Sequence, residues 1–564
     1  MTSSTVLVSP RAALTKVFSS ALAELDPRLE LGDGANATYV SSIATAAFGR
    51  AVHRLIAGLP VRMYVVGGSA AAGAGGAGVN HTFDAQLASR LNELLERAEA
   101  TSRRPLGRVM RTSVAQGGTT SFWAALMADA LHGRSAHILV WEYAINDHSV
   151  SLEAAGRGAS AAASLGPPTM RYMIDAWLRR SLSYRPPPLL MLTYLWDKQP
   201  AAPFKAGNRA LCRHMPVPSS AYDAQRSQIE HFGRAGAGVA AVNVAGYVST
   251  RRHGRFCPLV ADSYFHPSAE GHALVADLLS AVLLGLLRSP ERASSAAVSA
   301  AVDSSAEAAV NVNGVTGAVS PSTATAGASA GWPPPLSLPW HASATTDGVS
   351  ARLDALLRSP SMRAAVTLAW EPQAEAHLDD TPRYAEIRRD THLDDTPSLL
   401  TTGTASAPTT APAAVAVRFA LGQPPPVVLF AKSVRERADR KWMWLAPPCT
   451  AENASELVLQ LPAPEGGRRV RALSYFAMVS PGARLRHKFD GQPVEFAAVQ
   501  GSFLAQSWGY LQQWHVLDGA APREWRLCNE PVPNARCVGW RCGLEFKMPM
   551  KTVGIGWFLT LATT

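Results

Sequence analysis

Short apolar runs alternate with helix-period stretches over the first half of the chain. Met63 to Val66, Ile138 to Val140, Leu189 to Leu195 and Val239 to Val244 are rich in β-branched or large aliphatic residues and are bounded by Gly, Pro or polar clusters. Such runs predict strands buried on both faces. Between them Phe83, Leu87, Leu91, Leu94 and Leu95 recur at helical spacing, as do Met170, Met173, Ile174, Trp177 and Leu178. The alternation predicts an α/β unit, a parallel sheet with helices on both faces. In sheets of this kind ligands gather at the carboxyl ends of the strands, so the loops there are where chemistry is expected.

The pattern then changes twice. From Ser289 to Ala330 the chain is almost entirely Ala, Ser, Val, Thr, Gly and Pro, which cannot bury enough apolar surface to order itself and reads as a linker. Sequence of similar character continues in patches to about Pro426 and holds the hexamer His-Leu-Asp-Asp-Thr-Pro twice, starting at His377 and His392; two copies read as a local duplication, not a solenoid. Beyond it, strand-like stretches Leu457 to Leu461, Val470 to Val479 and Val553 to Leu561, with a hairpin turn at Asp490-Gly491, predict a β-rich, sandwich-like domain. The expected division is an N-terminal extension (1–50), an α/β domain (51–288), a largely disordered linker (289–426) and the β-rich domain (427–564).

Composition narrows this picture. With 564 residues, 47% of them hydrophobic and 17% charged, the chain is neither one small domain nor wholly disordered. The net charge of +10 favours acidic partners in general, yet Lys and Arg are scattered, so the charge reads as solubility and steering and not as nucleic-acid binding. The apolar run Ala273 to Leu287 is shorter than the roughly 20 residues a bilayer requires and contains Asp277. It reads as a buried helix, with no integral membrane span. The first 23 residues carry Arg11, Lys16, several Ser and no acid, a composition faintly like an organelle transit segment, without the apolar core of a secretory signal.

The six cysteines, Cys212, Cys257, Cys449, Cys528, Cys537 and Cys542, show no paired metal-site spacing. They suit either disulfides in an oxidising lumen or unpaired thiols in a cytosolic core. If bridged, Cys212 with Cys257 and pairs among the other four are expected, because other pairings would span the linker. Asn-x-Ser/Thr sequons beginning at Asn36, Asn80 and Asn453 tilt the reading toward the secretory pathway; compartment and oligomeric state stay open.

Four blocks stand at predicted strand ends or a helix entrance. Tyr64-Val65-Val66-Gly67-Gly68-Ser69-Ala70 places a serine just past a strand, with glycines that allow a sharp turn. Val114-Ala115-Gln116-Gly117-Gly118-Thr119-Thr120-Ser121 leads into a helix, Glu142-Tyr143-Ala144-Ile145-Asn146-Asp147 follows a strand, and Asp262-Ser263-Tyr264-Phe265-His266-Pro267-Ser268 opens the last helix. Gly73, Gly75 and Gly78 also satisfy G-x-G-x-x-G, but a dinucleotide fingerprint should open directly after the strand, and this one begins seven residues beyond Val66.

The order serine, glycine, asparagine, histidine resembles the SGNH (GDSL-type) hydrolase superfamily, over roughly Val61 to Leu287, and the wording of the blocks resembles a eukaryotic branch of it. The resemblance implies a flavodoxin-like α/β fold and an esterase-like activity. It makes Ser69 the nucleophile, the Ser69 and Gly118 N–H groups and the Asn146 amide the oxyanion donors, and His266 the base. The family places its triad acid three residues before the histidine, where this chain has Ser263; Asp262, four before, is the assigned acid, reached by a one-residue bulge unless another acceptor orients the ring. Gly68 replaces the family's usual acid before the serine, and Ala144 a common glycine. His272 and Asp147 read as structural, His253 as a surface residue.

These residue types suit acyl transfer. A serine hydroxyl is a poor nucleophile until an imidazole takes its proton, and the resulting oxyanion needs donors aimed at it. The expected function is therefore a serine esterase acting on a small acyl ester, an O-acetyl group on carbohydrate among the candidates, with an O-acyltransferase on a glycan and a non-catalytic glycan-binding protein as alternatives. The substrate partner is a small acyl ester or glycan, and the mechanism requires no cofactor and no metal.

Overall fold

The computed structural model of the chain describes residues 8–29, 38–41, 43–74, 81–115, 117, 119–131, 136–148, 170–184, 186–197, 220–251, 256–261, 265–288, 352, 355–356, 363–368, 373–374, 399–400, 416–419, 427–430, 441–449, 456–461, 469–479, 483–495, 497–499, 509–517, 519–531 and 553–563. The predicted apolar runs are strands: β2 (Val61–Gly67), β4 (Ile138–Glu142), β5 (Leu189–Tyr194) and β6 (Val239–Asn243), joined by β1 (Thr38–Val40), β3 (Val109–Ser113) and β8 (Gln373–Ala374). The sheet order is β1-β6-β5-β4-β2-β3-β8. Strands β2 to β6 are mutually parallel and β1 and β8 close the two edges antiparallel. Taken alone, the five parallel strands run second, first, third, fourth, fifth, which is the flavodoxin-like order. The chain reverses its direction of travel across the sheet between β2 and β4, and it is at the carboxyl ends of such a strand pair that sheets of this kind hold their ligands.

Helices cover both faces because successive strand residues point to opposite sides. Met63, Val65 and Val140 pack with α1 (Pro10–Leu29), α2 (Ala44–Ile56), α3 (Phe83–Ser102), α7 (Val244–Arg251) and α8 (Ala269–Arg288). Val66, Leu139, Trp141 and Leu192 pack with α4 (Ser121–Leu131), α5 (Met170–Leu182) and α6 (Ser220–Arg234) on the opposite face. Helix α8 is long and apolar enough to cross a membrane, but it is mostly buried against α1 and α3. Its Asp277 meets Arg28 of α1 at 3.3 Å and Arg90 of α3 at 2.5 Å.

The β-rich region follows expectation in its elements. Among the described residues it forms two antiparallel sheets, of five and eight strands, which share a core of Leu457, Leu459, Tyr475, Trp525, Leu527 and Phe558. The turn at Asp490 and Gly491 has φ of 47° and 85°, the left-handed pair a tight hairpin demands, between strands Ala483–Phe489 and Gln492–Val494. Cys449 and Cys528 are joined by a disulfide within this region, and Cys257 is disulfide-bonded to a partner outside the described residues.

Two boundaries differ from the sequence reading. The stretch 1–50 is more than an extension: Leu14, Val17, Phe18 and Leu22 of α1 belong to the α/β core, and β1 pairs with β6. Nor is 289–426 only linker, because β7 (Arg363–Leu368) pairs with Val553–Thr563 of the eight-stranded sheet and packs on α4, while β8 adds to the edge of β3. Ala472 and Leu561 of the β-rich region enter the same core as Phe122 and Trp123 of α4. The two regions are thus docked. The repeated hexamers, the sequon asparagines Asn36, Asn80 and Asn453, Cys212 and His253 lie outside the described residues.

Candidate active site

Ser69 stands two residues past β2, at the point where the sheet order reverses. The N–H of Gly68 continues the ladder by donating to Glu142 O at 2.8 Å, and the chain then coils, with Ala72 N–H on Gly68 O at 3.1 Å and Ala74 N–H on Ser69 O at 2.9 Å. Both glycines before the serine answer a close approach. A Cβ on Gly67 would lie 2.4 Å from Ala71 Cβ, and one on Gly68 would lie 2.4 Å from Asn146 Nδ2. The side-chain amide of Asn146 therefore rests against the backbone immediately before Ser69.

His266 arrives from the other end of the domain. A bridge between Val260 and Pro267, and an Ala261 N–H bond to His266 O at 2.9 Å, hold its backbone. Ser268 caps α8, its Oγ accepting from Gly271 N–H at 3.1 Å and donating to Pro258 O at 2.5 Å. Trp196, just past β5, donates its indole N–H to Phe265 O at 2.9 Å. The outcome is a contact of 2.7 Å between Ser69 Oγ and His266 Nε2 across 197 residues of sequence. That is the distance at which an imidazole can take a hydroxyl proton.

The chain matches no protein-family model and no curated protein. Among solved structures it is similar to a two-domain esterase active on acetylated mannans, at 10% identity over 92% of this chain and 95% of that chain, with a TM-score of 0.42. The same esterase co-crystallised with mannopentaose gives the same values. A GDSL-like lipase of Parabacteroides merdae is similar at 15% identity over 40% of this chain and 96% of that chain, with a TM-score of 0.23.

Asn146 lies in the short helical segment 144–148 after β4 and donates from Nδ2 to Thr119 O at 2.7 Å, which leaves the second amide hydrogen for another acceptor. The assigned oxyanion glycine, Gly118, and the assigned acid, Asp262, lie outside the described residues. His272 is buried; its Nδ1 accepts the Phe83 N–H at 3.2 Å at the start of α3, and burial pulls its pKa down to about 4. It is a structural group, as the sequence indicates.

Two acids at this edge carry more than the sequence suggests. Glu142, the last residue of β4, accepts Ala71 N–H on Oε2 at 3.3 Å, directly beneath the serine turn, and burial raises its pKa well above the carboxylate range. Asp147 accepts the Ser121 N–H at 2.9 Å and the Ser121 hydroxyl at 2.5 Å. Burial lifts its pKa to about 7 against the lowering effect of those bonds. Ser121 Oγ in turn accepts the Trp141 indole N–H at 2.6 Å. The sequence signal for Glu142 is an acid closing an otherwise apolar strand at the sheet's carboxyl edge; nothing in the sequence pairs Ser121 with Asp147.

Proposed function

We propose that the protein is a serine esterase that hydrolyses a small acyl ester, with O-acetyl groups on carbohydrate as the substrate class. The observation that carries this reading is the 2.7 Å contact between Ser69 Oγ and His266 Nε2 at the reversal point of the sheet. The carbohydrate part follows from the family resemblance of the four sequence blocks and from the docked β-rich region.

In this reading His266 takes the Ser69 proton as Oγ attacks the ester carbonyl. The oxyanion of the tetrahedral intermediate accepts from the N–H groups of Ser69 and Gly118 and from the Asn146 amide. His266 then protonates the departing alcohol, and water, deprotonated by the same imidazole, releases the acid from the acyl-enzyme. Asp262 orients the ring and balances the imidazolium.

Hydrolysis of p-nitrophenyl acetate, with a fluorophosphonate probe for serine activation, tests the assignment. Wild type is expected to turn over the ester and to be labelled at Ser69, while Ser69→Ala falls to background. Asp262→Asn is expected to lose roughly a thousand- to ten-thousand-fold in kcat. Equal rates for wild type and Ser69→Ala would remove the nucleophile. Inactivity toward a broad ester panel together with retained glycan binding would favour a binding protein instead.

A further inference from the structure

Two consecutive residues after β4 each reach across to the start of α4 or the residues just before it. Asn146 donates to Thr119 O at 2.7 Å, and Asp147 takes both the N–H and the hydroxyl of Ser121 at 2.9 and 2.5 Å. Both links are buried: Asn146 is 5% exposed, Thr119 3%, and Asp147 and Ser121 are 0% exposed. The second link is anchored again from β4, through the Trp141 indole on Ser121 Oγ. Every hydrogen-bonding position of the Ser121 hydroxyl is thus accounted for except one lone pair, and its proton points at Asp147.

Thr119 and Ser121 are thus pinned by two adjacent residues, the first of which carries the assigned side-chain donor. We propose that Asp147 and Ser121 form a positioning pair that fixes Thr119 against the Asn146 amide, and so sets the direction in which that amide donates. This rests on the esterase reading above. The pair touches no reacting atom; it acts through Asn146. The raised pKa of Asp147 agrees with a carboxyl given over to a buried structural task, not one held ready as a solvent-exposed base.

A positioning role makes a claim that simple stabilisation does not. If Asp147 works through the Asn146 donor, its loss should matter little once that donor is gone. The experiment is a double-mutant cycle on p-nitrophenyl acetate turnover with Asn146→Ala, Asp147→Asn and the double variant, each checked by thermal melting. Asn146→Ala is expected to lower kcat about a hundredfold. Asp147→Asn, which keeps the size but cannot accept on both atoms, is expected to lower kcat by about ten- to a hundredfold with KM changed by less than about threefold. In the Asn146→Ala background the same change should cost less than about threefold more.

Losses that multiply across the cycle, or a folded Asp147→Asn protein with wild-type kcat, would overturn the proposal. Where Asp147→Asn does not fold, Ser121→Ala, which removes only the hydroxyl, enters the cycle in its place with the same expectations. A wild type without esterase activity would bring down the reading of the site and the pair with it; an active wild type with multiplicative losses would bring down the pair alone.

Discussion

Gly68 is held to its identity by a neighbour. The family pattern has an acid at this position, yet here a Cβ would stand 2.4 Å from Asn146 Nδ2. Gly68→Ala is therefore expected to push the amide away from the pocket and to lower kcat on p-nitrophenyl acetate about a hundredfold, the usual cost of one misplaced oxyanion donor, while the melting temperature falls by only a few degrees. Gly68→Asp, which adds a larger, charged side chain at the same place, should be worse. A Gly68→Ala protein with wild-type kcat would show that Asn146 is free to move. That Ser69 would meet His266, with Asn146 beside the same turn, was legible in the sequence because each sits in a short block next to a strand or helix end. Glu142 and the Ser121–Asp147 pair were not, since their meaning comes from contacts across 71 and 26 residues that no local pattern encodes.

At the scale of elements, most of the parallel sheet and its principal helices could be read from period-2 and period-3.6 spacing, and the β-rich strands from turn chemistry. The docking of helix α1 was not legible, for a physical reason. Ala13, Leu14, Val17, Phe18, Ala21 and Leu22 form one apolar stripe, but with Arg11 and Lys16 and no acid nearby the same amphipathic pattern suits a targeting segment as well as a docking helix. Strands β1 and β8 are too short to carry a pattern at all. Because Leu14, Phe18 and Leu22 are buried, and each buried side chain of this size contributes about 1.5 to 3 kcal/mol, deleting residues 1–30 is expected to remove a large part of a typical stability of about 5 to 15 kcal/mol. Loss of soluble expression, or a melting temperature lower by ten degrees or more, checks this; a fragment as stable as the full chain refutes it. Within α8, Gly271→Ala should act on both stability and catalysis, because its Cβ would meet Leu259 O at 2.2 Å and displace the segment that holds His266. A melt and a rate assay on that variant should fall together.

Over the whole molecule, buried titratable groups make stability depend on pH in opposing directions. His487 lies in the core between the two sheets of the β-rich region, 3.1 Å from Tyr475 OH and accepting the Trp525 indole N–H on Nδ1 at 3.3 Å; burial drops its pKa to about 3. The unfolded chain, with an ordinary imidazole near 6.5, binds the proton first, so this residue's stabilising effect is complete above about pH 6.5 and is lost by about 1.4 kcal/mol per unit as pH falls toward 3. Asp147 and Glu142, whose pKa values are raised, pull the other way over the acid range. The comparison to make is therefore wild type against His487→Gln: the wild-type advantage in unfolding free energy should be largest at neutral pH and shrink as pH drops from 6.5 to 4. A gap independent of pH would mean that the imidazole is not buried neutral. At this scale the docking of the two regions lay beyond the sequence, because the residues that join them come from a stretch whose composition reads as linker. Leu368 ends β7 in one sheet and Gln373 opens β8 in the other, so the chain between them reaches at most about 18 Å. Anyone who trims this molecule to its first 288 residues leaves the rim of β3, the strand that feeds Gly118, with its amides and carbonyls bare and ready to recruit a stranger. The usable cut sites are set by that splice and not by the apparent spacer.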